Sequence, residues 1–210
     1  MNVPSGSHMG GVWERQIRSV RNGLAALLQS NGSQLNEESL RTLLCKAEAI
    51  VNSRPLTVDS LNDPLSLNPL TPNHLLTMKT KVVLPPPGAF QSADKYCKKR
   101  WKRVQHLANE FWVRWKKEYL LSLQQRQRWT KPRREMCVGD LVIIKDDNEP
   151  RNKWQLARVT ETFQSADGHV RKVKVVVADR ELDNDGKKIK AAKFLERPVQ
   201  KLVLLQEKES

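Results

Sequence analysis

Residues 94–134 read DKYCKKRWKRVQHLANEFWVRWKKEYLLSLQQRQRWTKPRR. From Lys95 to Arg134 there are fourteen Lys/Arg against two acids, Glu110 and Glu118, a surplus of twelve in a chain whose formal net charge is +14. Apolar residues recur at Trp101, Val104, Ala108, Phe111, Trp115 and Tyr119, in steps of three and four that trace one face of an α-helix. Leu107, Trp112 and Leu120 widen that stripe, and Pro132 predicts its end. The stretch predicts one long helix with an aromatic face and a basic remainder, and it holds four of the six tryptophans.

Two readings compete for each half of this pattern. Tryptophans at helical spacing are buried in a core far more often than they stack on bases, so the stripe is read as core. The lysines and arginines are either an ordinary solvated face or a surface for a polyanion. So dense a surplus repels itself unless an anion is near, and a phosphate backbone is the usual partner. Membrane insertion fits poorly, because charges interrupt every apolar run well short of about 18 residues.

The 210 residues leave room for one or two domains. A hydrophobic fraction of 39% and a charged fraction of 29% suit a foldable protein, and a mean hydropathy of −0.61 limits its core. The sequence pI near 9.9 points first to nucleic acid. Cys45, Cys97 and Cys137 are odd in number and far apart, giving neither a disulfide framework nor paired metal-ligand spacing. That pattern favours a reducing, intracellular setting. His8, His74, His106 and His169 are equally scattered and form no zinc motif. Neither a signal peptide nor a membrane span is predicted.

Ahead of the basic stretch, residues 13–29 are amphipathic, with Trp13, Ile17, Val20, Leu24, Leu27 and Leu28 on one face and Asn31-Gly32 as a stop. A second helix is predicted from an N-cap at Asn36 to Val51, with Glu37 and Glu38 at its positive end. Its expected buried side is Leu40, Leu43, Leu44, Ala47 and Ile50, and Arg54-Pro55 ends it. Seven of the eleven prolines fall between residues 54 and 93, so residues 58–93 read as an irregular Pro-rich connector, tacked down at Leu70, Leu75 and Leu76.

Beyond the basic helix the pattern changes to strands. Residues 138–145 are β-branched, 154–163 alternate, 170–177 form a third run and 198–205 a last one, with Asp167-Gly168 as a hairpin signal. Four or five short strands over residues 135–206 predict a small antiparallel barrel of the SH3 kind. The fold class is therefore α+β.

At this point several separated motifs resemble one family. SHMGGVWERQIRSVRNGL (residues 7–24), KAEAIVNSRPLT (46–57) and LTPNHLL (70–76) look like the end of the integrase catalytic core of BEL/Pao-type LTR retrotransposons. The helix pattern W-x-x-V-x-x-L-x-x-x-F-W-x-R-W from Trp101, V-G-D-L-V from Val138 and R-P-V-x-K-L from Arg197 resemble the domain that follows that core, the DUF5641-type region. The resemblance covers nearly the whole chain, and on that ground the N-terminal SHMGG is taken as native sequence. It implies that residues 1–57 are the C-terminal helices of a truncated RNase H-like core, residues 94–134 a basic amphipathic helix and residues 135–206 an SH3-like barrel.

By the same resemblance Glu14 is the third acid of a D-D-E polynucleotidyl transferase. Such a site holds two divalent metals, Mg or Mn in an intact parent integrase, that activate the attacking oxygen and steady the leaving one. The other two acids of that set are not in this sequence, so the chain is expected to be catalytically inert, to carry no cofactor, and to keep Glu14 only as a vestige. Supply of Glu14 in trans to another protomer is the enzymatic rival. The expected function is non-specific DNA binding, mostly to the backbone and in the nucleus. The expected contacts are Lys98, Lys99, Arg100, Lys102, Arg103, Arg114, Lys116, Lys117, Arg126, Arg128, Lys131, Arg133 and Arg134 in and after the helix, and Arg151, Lys153, Arg171, Lys172 and Lys174 in the barrel. Trp129 and Trp154 are read as packing residues before stacking ones. The competing function is a protein-interaction or oligomerisation module built on the SH3-like barrel and the aromatic helix face, with a homo-oligomer or a full-length integrase as partner.

Overall fold

The computed structural model describes residues 11–31, 35–58, 67–78, 88, 90–91, 93–94, 99–124, 134–146, 149–177 and 192–208. The chain is α+β and divides into two compact units, residues 1–52 with 85–119, and residues 53–84 with 120–210.

The first unit is helical. α1 spans Gly11–Asn31, α2 Glu37–Val51 and α4 Arg100–Leu123, the last four residues of α4 belonging to the second unit. Asn36 caps α2, its side chain accepting the Ser39 N–H at 3.2 Å, and Glu37 and Glu38 face the positive helix end. Leu43, Ala47 and Ile50 are its buried stripe, while Leu44, expected to be buried, is 45% exposed. Leu44 lies 100° round the helix from Leu43, and the stripe of this short helix is too narrow to include it. Ile17 of α1 is exposed, whereas Leu27 is buried.

In α4 the residues Val104, Leu107, Ala108, Phe111, Trp112, Trp115, Tyr119 and Leu120 are all buried. The rings of Trp115 and Tyr119 stack at 5.2 Å and 3°. Trp101, one turn too early to share this core, is 52% exposed and meets Phe90 edge-to-face at 5.4 Å. The described helix ends at Leu123, and the expected end at Pro132 lies outside the described residues. Where α1 meets α4, a Cβ on Gly23 would sit 3.2 Å from the Phe111 ring, so the absent side chain sets how close the two helices come.

The second unit contains a five-stranded antiparallel sheet in the order β6-β5-β4-β3-β7. Its strands are β3 Leu141–Ile144, β4 Leu156–Gln164, β5 Val170–Val177, β6 Lys193–Pro198 and β7 Leu202–Gln206. Met136, Val142, Ile144, Ala157, Val159, Val173, Val175 and Leu202 form its core. β6 was not foreseen, because KFLERP at an edge has too little alternation to read as a strand. The sheet is also not the closed barrel expected from strand count: β6 and β7 are edges and do not pair. Yet they are consecutive, joined only by a 3-10 turn, Val199–Lys201. Five flat strands would hold their edges about 19 Å apart, whereas the turn advances only about 2 Å per residue. The sheet is therefore curled until its two edges approach at that corner.

The described part of the Pro-rich connector, chiefly residues 67–78, contains regular elements. β1 (Thr57–Val58) pairs antiparallel with β2 (Pro69–Leu70), and α3 (Pro72–Thr77) follows under a capping box between Thr71 and His74. Thr57 donates to Gln206 Oε1 at 2.6 Å and Ser53 to Asn152 at 3.4 Å, so this segment belongs with the sheet. Two-residue strands carry no periodicity, which is why sequence reading passed over them.

Candidate nucleic-acid interface

The basic helix presents one ordered line of charge. At 100° per residue, Arg103, Arg114 and Lys117 of α4 fall within about 60° of a common line about 21 Å long. Arg114 and Lys117 are exposed, Arg103 half-buried, and Lys99 stands exposed just before the helix. Lys99, Arg114 and Lys117 have no acidic partner among the described residues. Glu110 shares the line, but its carboxylate is directed to His106 Nε2 at 3.1 Å.

Other expected contacts are committed elsewhere. Arg100 pairs with Glu38 at 3.5 Å and Lys102 with Asp94 at 3.4 Å. The Asp94 carboxyl is held below its ordinary pKa by the Gln91 N–H first, and also by Lys102. Lys116 is buried and its Nζ lies over the Trp112 ring at 5.7 Å. Arg134 grips Asp140 in two hydrogen bonds and reaches Glu207 at 3.7 Å, which raises its pKa above the ordinary arginine value. Arg151 is buried, and burial lowers its pKa, so its side chain is not displayed at the surface. Lys98, Arg126, Arg128, Lys131 and Arg133 lie outside the described residues, as do Cys97 and Trp129. Trp154 is a core residue, 1% exposed.

Ahead of β4, Lys153 pairs with Glu149 at 3.7 Å; on the sheet, Arg171 pairs with Asp167, Lys172 with Glu196 and Lys174 with Glu161 at 3.8 Å. Two phenylalanines that the sequence did not single out join this group. Lys172 Nζ lies 5.8 Å from the centre of the Phe163 ring, and Lys174 Nζ 5.7 Å from that of Phe194. Cross-strand register puts Phe163 opposite Lys172, Lys172 opposite Pro198, Lys174 opposite Glu196 and Val176 opposite Phe194, so these side chains alternate over three strands. The signal was present in the alternation of residues 172–175, but Phe194 is placed only by β6.

Glu14 is exposed in the first turn of α1. Among the described residues no group of three or more His, Cys, Asp or Glu could hold a metal ion. The residues described around Glu14 therefore do not fit a two-metal centre, and no step is derived through one. Among the described residues, no helix is long and apolar enough to cross a membrane.

The family described as "Family of unknown function (DUF5641)" matches residues 99–205, just over half of the chain, from the foot of α4 through the last strand of the sheet. No curated protein and no solved structure matches it.

Proposed function

The chain belongs to the DUF5641 family, and from that premise we propose that it is a polypeptide derived from a BEL/Pao-type retroelement integrase that binds DNA without sequence preference. The observation that carries this reading is the line of exposed Arg114 and Lys117 with half-buried Arg103, and exposed Lys99 below it, inside the family-matched segment. Along about 21 Å of axis a duplex presents about twelve phosphate charges, so such a line meets a continuous partner. Cations arranged this way position a backbone and read no bases.

An SH3-like barrel is the finer reading of the sheet. It is supported by first and last strands that pair and by a 3-10 turn that carries the chain between the edges. In the same reading the helices of residues 1–57 correspond to the C-terminal helices of an RNase H-like core, Glu14 corresponds to the third acid of its D-D-E set, and DNA integration in the nucleus is the ancestral process.

Fluorescence anisotropy of the full chain with a short labelled duplex, from roughly 50 to 200 mM salt, tests the proposal. Four phosphate contacts predict that log affinity falls with log salt at a slope of about −3.6. A chain that shows no duplex binding at the low-salt end sinks it.

A second reading, a protein-interaction or oligomerisation module, is favoured by one observation. Leu75, Leu76 and Met78, in and after α3, are 57, 71 and 87% exposed, a run of apolar surface with no function in DNA binding. Light scattering that finds only monomer at high concentration counts against it.

A further inference from the structure

The outer side of β4, β5 and β6 is a place where bases and phosphates can be held together. Cross-strand register puts Arg158, Glu161 and Phe163 of β4, Lys172 and Lys174 of β5, and Phe194 and Glu196 of β6 on one face, where three cations meet two acids. Lys193 and Arg197 alternate with these and share the side of the inward Leu195. Phe194 is 59% exposed on the edge strand and Phe163 is half-buried two strands away. Each has a lysine ammonium within 6 Å of its ring, at 5.7 and 5.8 Å. From strand spacing and rise per residue the two rings are about 16 Å apart.

An exposed ring costs solvation unless something covers it. Strand addition is a poor occupant for this edge: Lys193, Glu196, Arg197 and Pro198 are the charges and proline by which edge strands resist pairing. A duplex is also a poor fit to the rings, since its bases are already stacked. Unpaired nucleotides satisfy both features. Their bases stack on aromatic rings while adjacent ammonium groups take the phosphates.

We propose that the outer face of β4–β6 binds single-stranded nucleic acid, with Phe194 and Phe163 as stacking platforms and Lys172 and Lys174 as phosphate contacts. The lysines exchange Glu196 and Glu161 for phosphate oxygens, which costs little because exposed ion pairs are weak. This rests on the nucleic-acid reading above and narrows it to unpaired strands at this face, with duplex left to the helix.

The test is anisotropy of the full chain with a labelled oligothymidylate and with a labelled duplex. The chain and the variants Phe194→Ala, Phe194→Trp and Phe163→Ala are titrated in parallel, with circular dichroism confirming the fold. Phe194→Ala is expected to weaken single-strand binding about tenfold, Phe194→Trp to retain it, and both to leave duplex affinity within about twofold. If Phe194→Ala leaves single-strand affinity unchanged, or weakens both ligands equally, the stacking site is wrong while duplex binding stands. If neither nucleic acid binds, the parent reading falls with it. If Phe194→Ala instead dissociates an oligomer with no loss of single-strand binding, the face is a protein interface and the proposal is overturned.

Discussion

Arg134 holds both carboxylate oxygens of Asp140, Nη1 at 2.8 Å from Oδ2 and Nη2 at 2.9 Å from Oδ1. Asp140 is fully buried, and it also accepts the backbone N–H groups of Cys137 at 2.9 Å and Lys208 at 3.2 Å. One side chain thus ties the segment before β3, the turn at residues 137–140 and the segment after β7. Replacing it by asparagine removes the charge and turns one of the two acceptor oxygens into a donor that faces N–H groups already there. Asp140→Asn is expected to cost about 3 kcal/mol, the usual size for breaking a buried charged pair. It should appear as a lower urea midpoint with the slope unchanged.

The same residue sets a pH dependence. Burial alone would raise the Asp140 pKa, but the Arg134 bonds and the two N–H donors overcome it and hold the carboxyl below its ordinary 3.8. A folded-state pKa below the unfolded one gives stability that is present above the unfolded value and is lost as pH falls through the folded one. Urea midpoints of the wild type should therefore drop as pH is lowered below about 4, and those of Asp140→Asn should drop less. Equal acid sensitivity in the two proteins would contradict the role assigned to this pair.

Gly139, next in line, has φ +99°, and a Cβ built there would come 2.6 Å from Lys208 Cδ. Both the backbone conformation and the crossing of the Lys208 chain exclude a side chain. Gly139→Ala is expected to destabilise by about 1–3 kcal/mol. Thermal melts would show it, and the loss should persist in Lys208→Ala, because the strained φ is independent of the lysine.

Gly23 offers a contrast, since its backbone is ordinary α-helix. Alanine gains about 1 kcal/mol of helix propensity and meets Phe111 at 3.2 Å, so Gly23→Ala should be near neutral. Gly23→Val pushes branched atoms into a ring that is 0% exposed and should cost about 1–3 kcal/mol. The ordering of the two variants by chemical denaturation is the check.

For the helix, Arg114→Glu with Lys117→Glu should leave the fold intact, both positions being exposed. Duplex affinity should fall sharply, and the salt slope should become shallower by about two. Variants at Arg134 or Arg151 should act on stability first, because one is bound to Asp140 and the other is buried.

How far the sequence was legible depended on how long each signal ran. The stripe from Val104 to Tyr119 repeats over four turns, and its core face is as read. β5 occupies the expected residues 170–177 because Lys172, Val173, Lys174 and Val175 alternate and the run ends in three valines. Short features failed: β1 and β2 have two residues each, and β6 hides its inward Leu195 among charges. Trp101 misled because periodicity cannot tell whether a neighbour exists to cover the first turn. Charge counting also could not distinguish a cation held by an acid from one left to solvent. Arg134 and Arg114 look alike in the sequence, and only the fold separates them.

The two units alternate along the chain. The polypeptide starts in the helical unit, leaves at residue 53, returns at 85 and leaves again at 120. Neither body is a contiguous cassette. A single break anywhere between residues 53 and 119 would divide at least one of them.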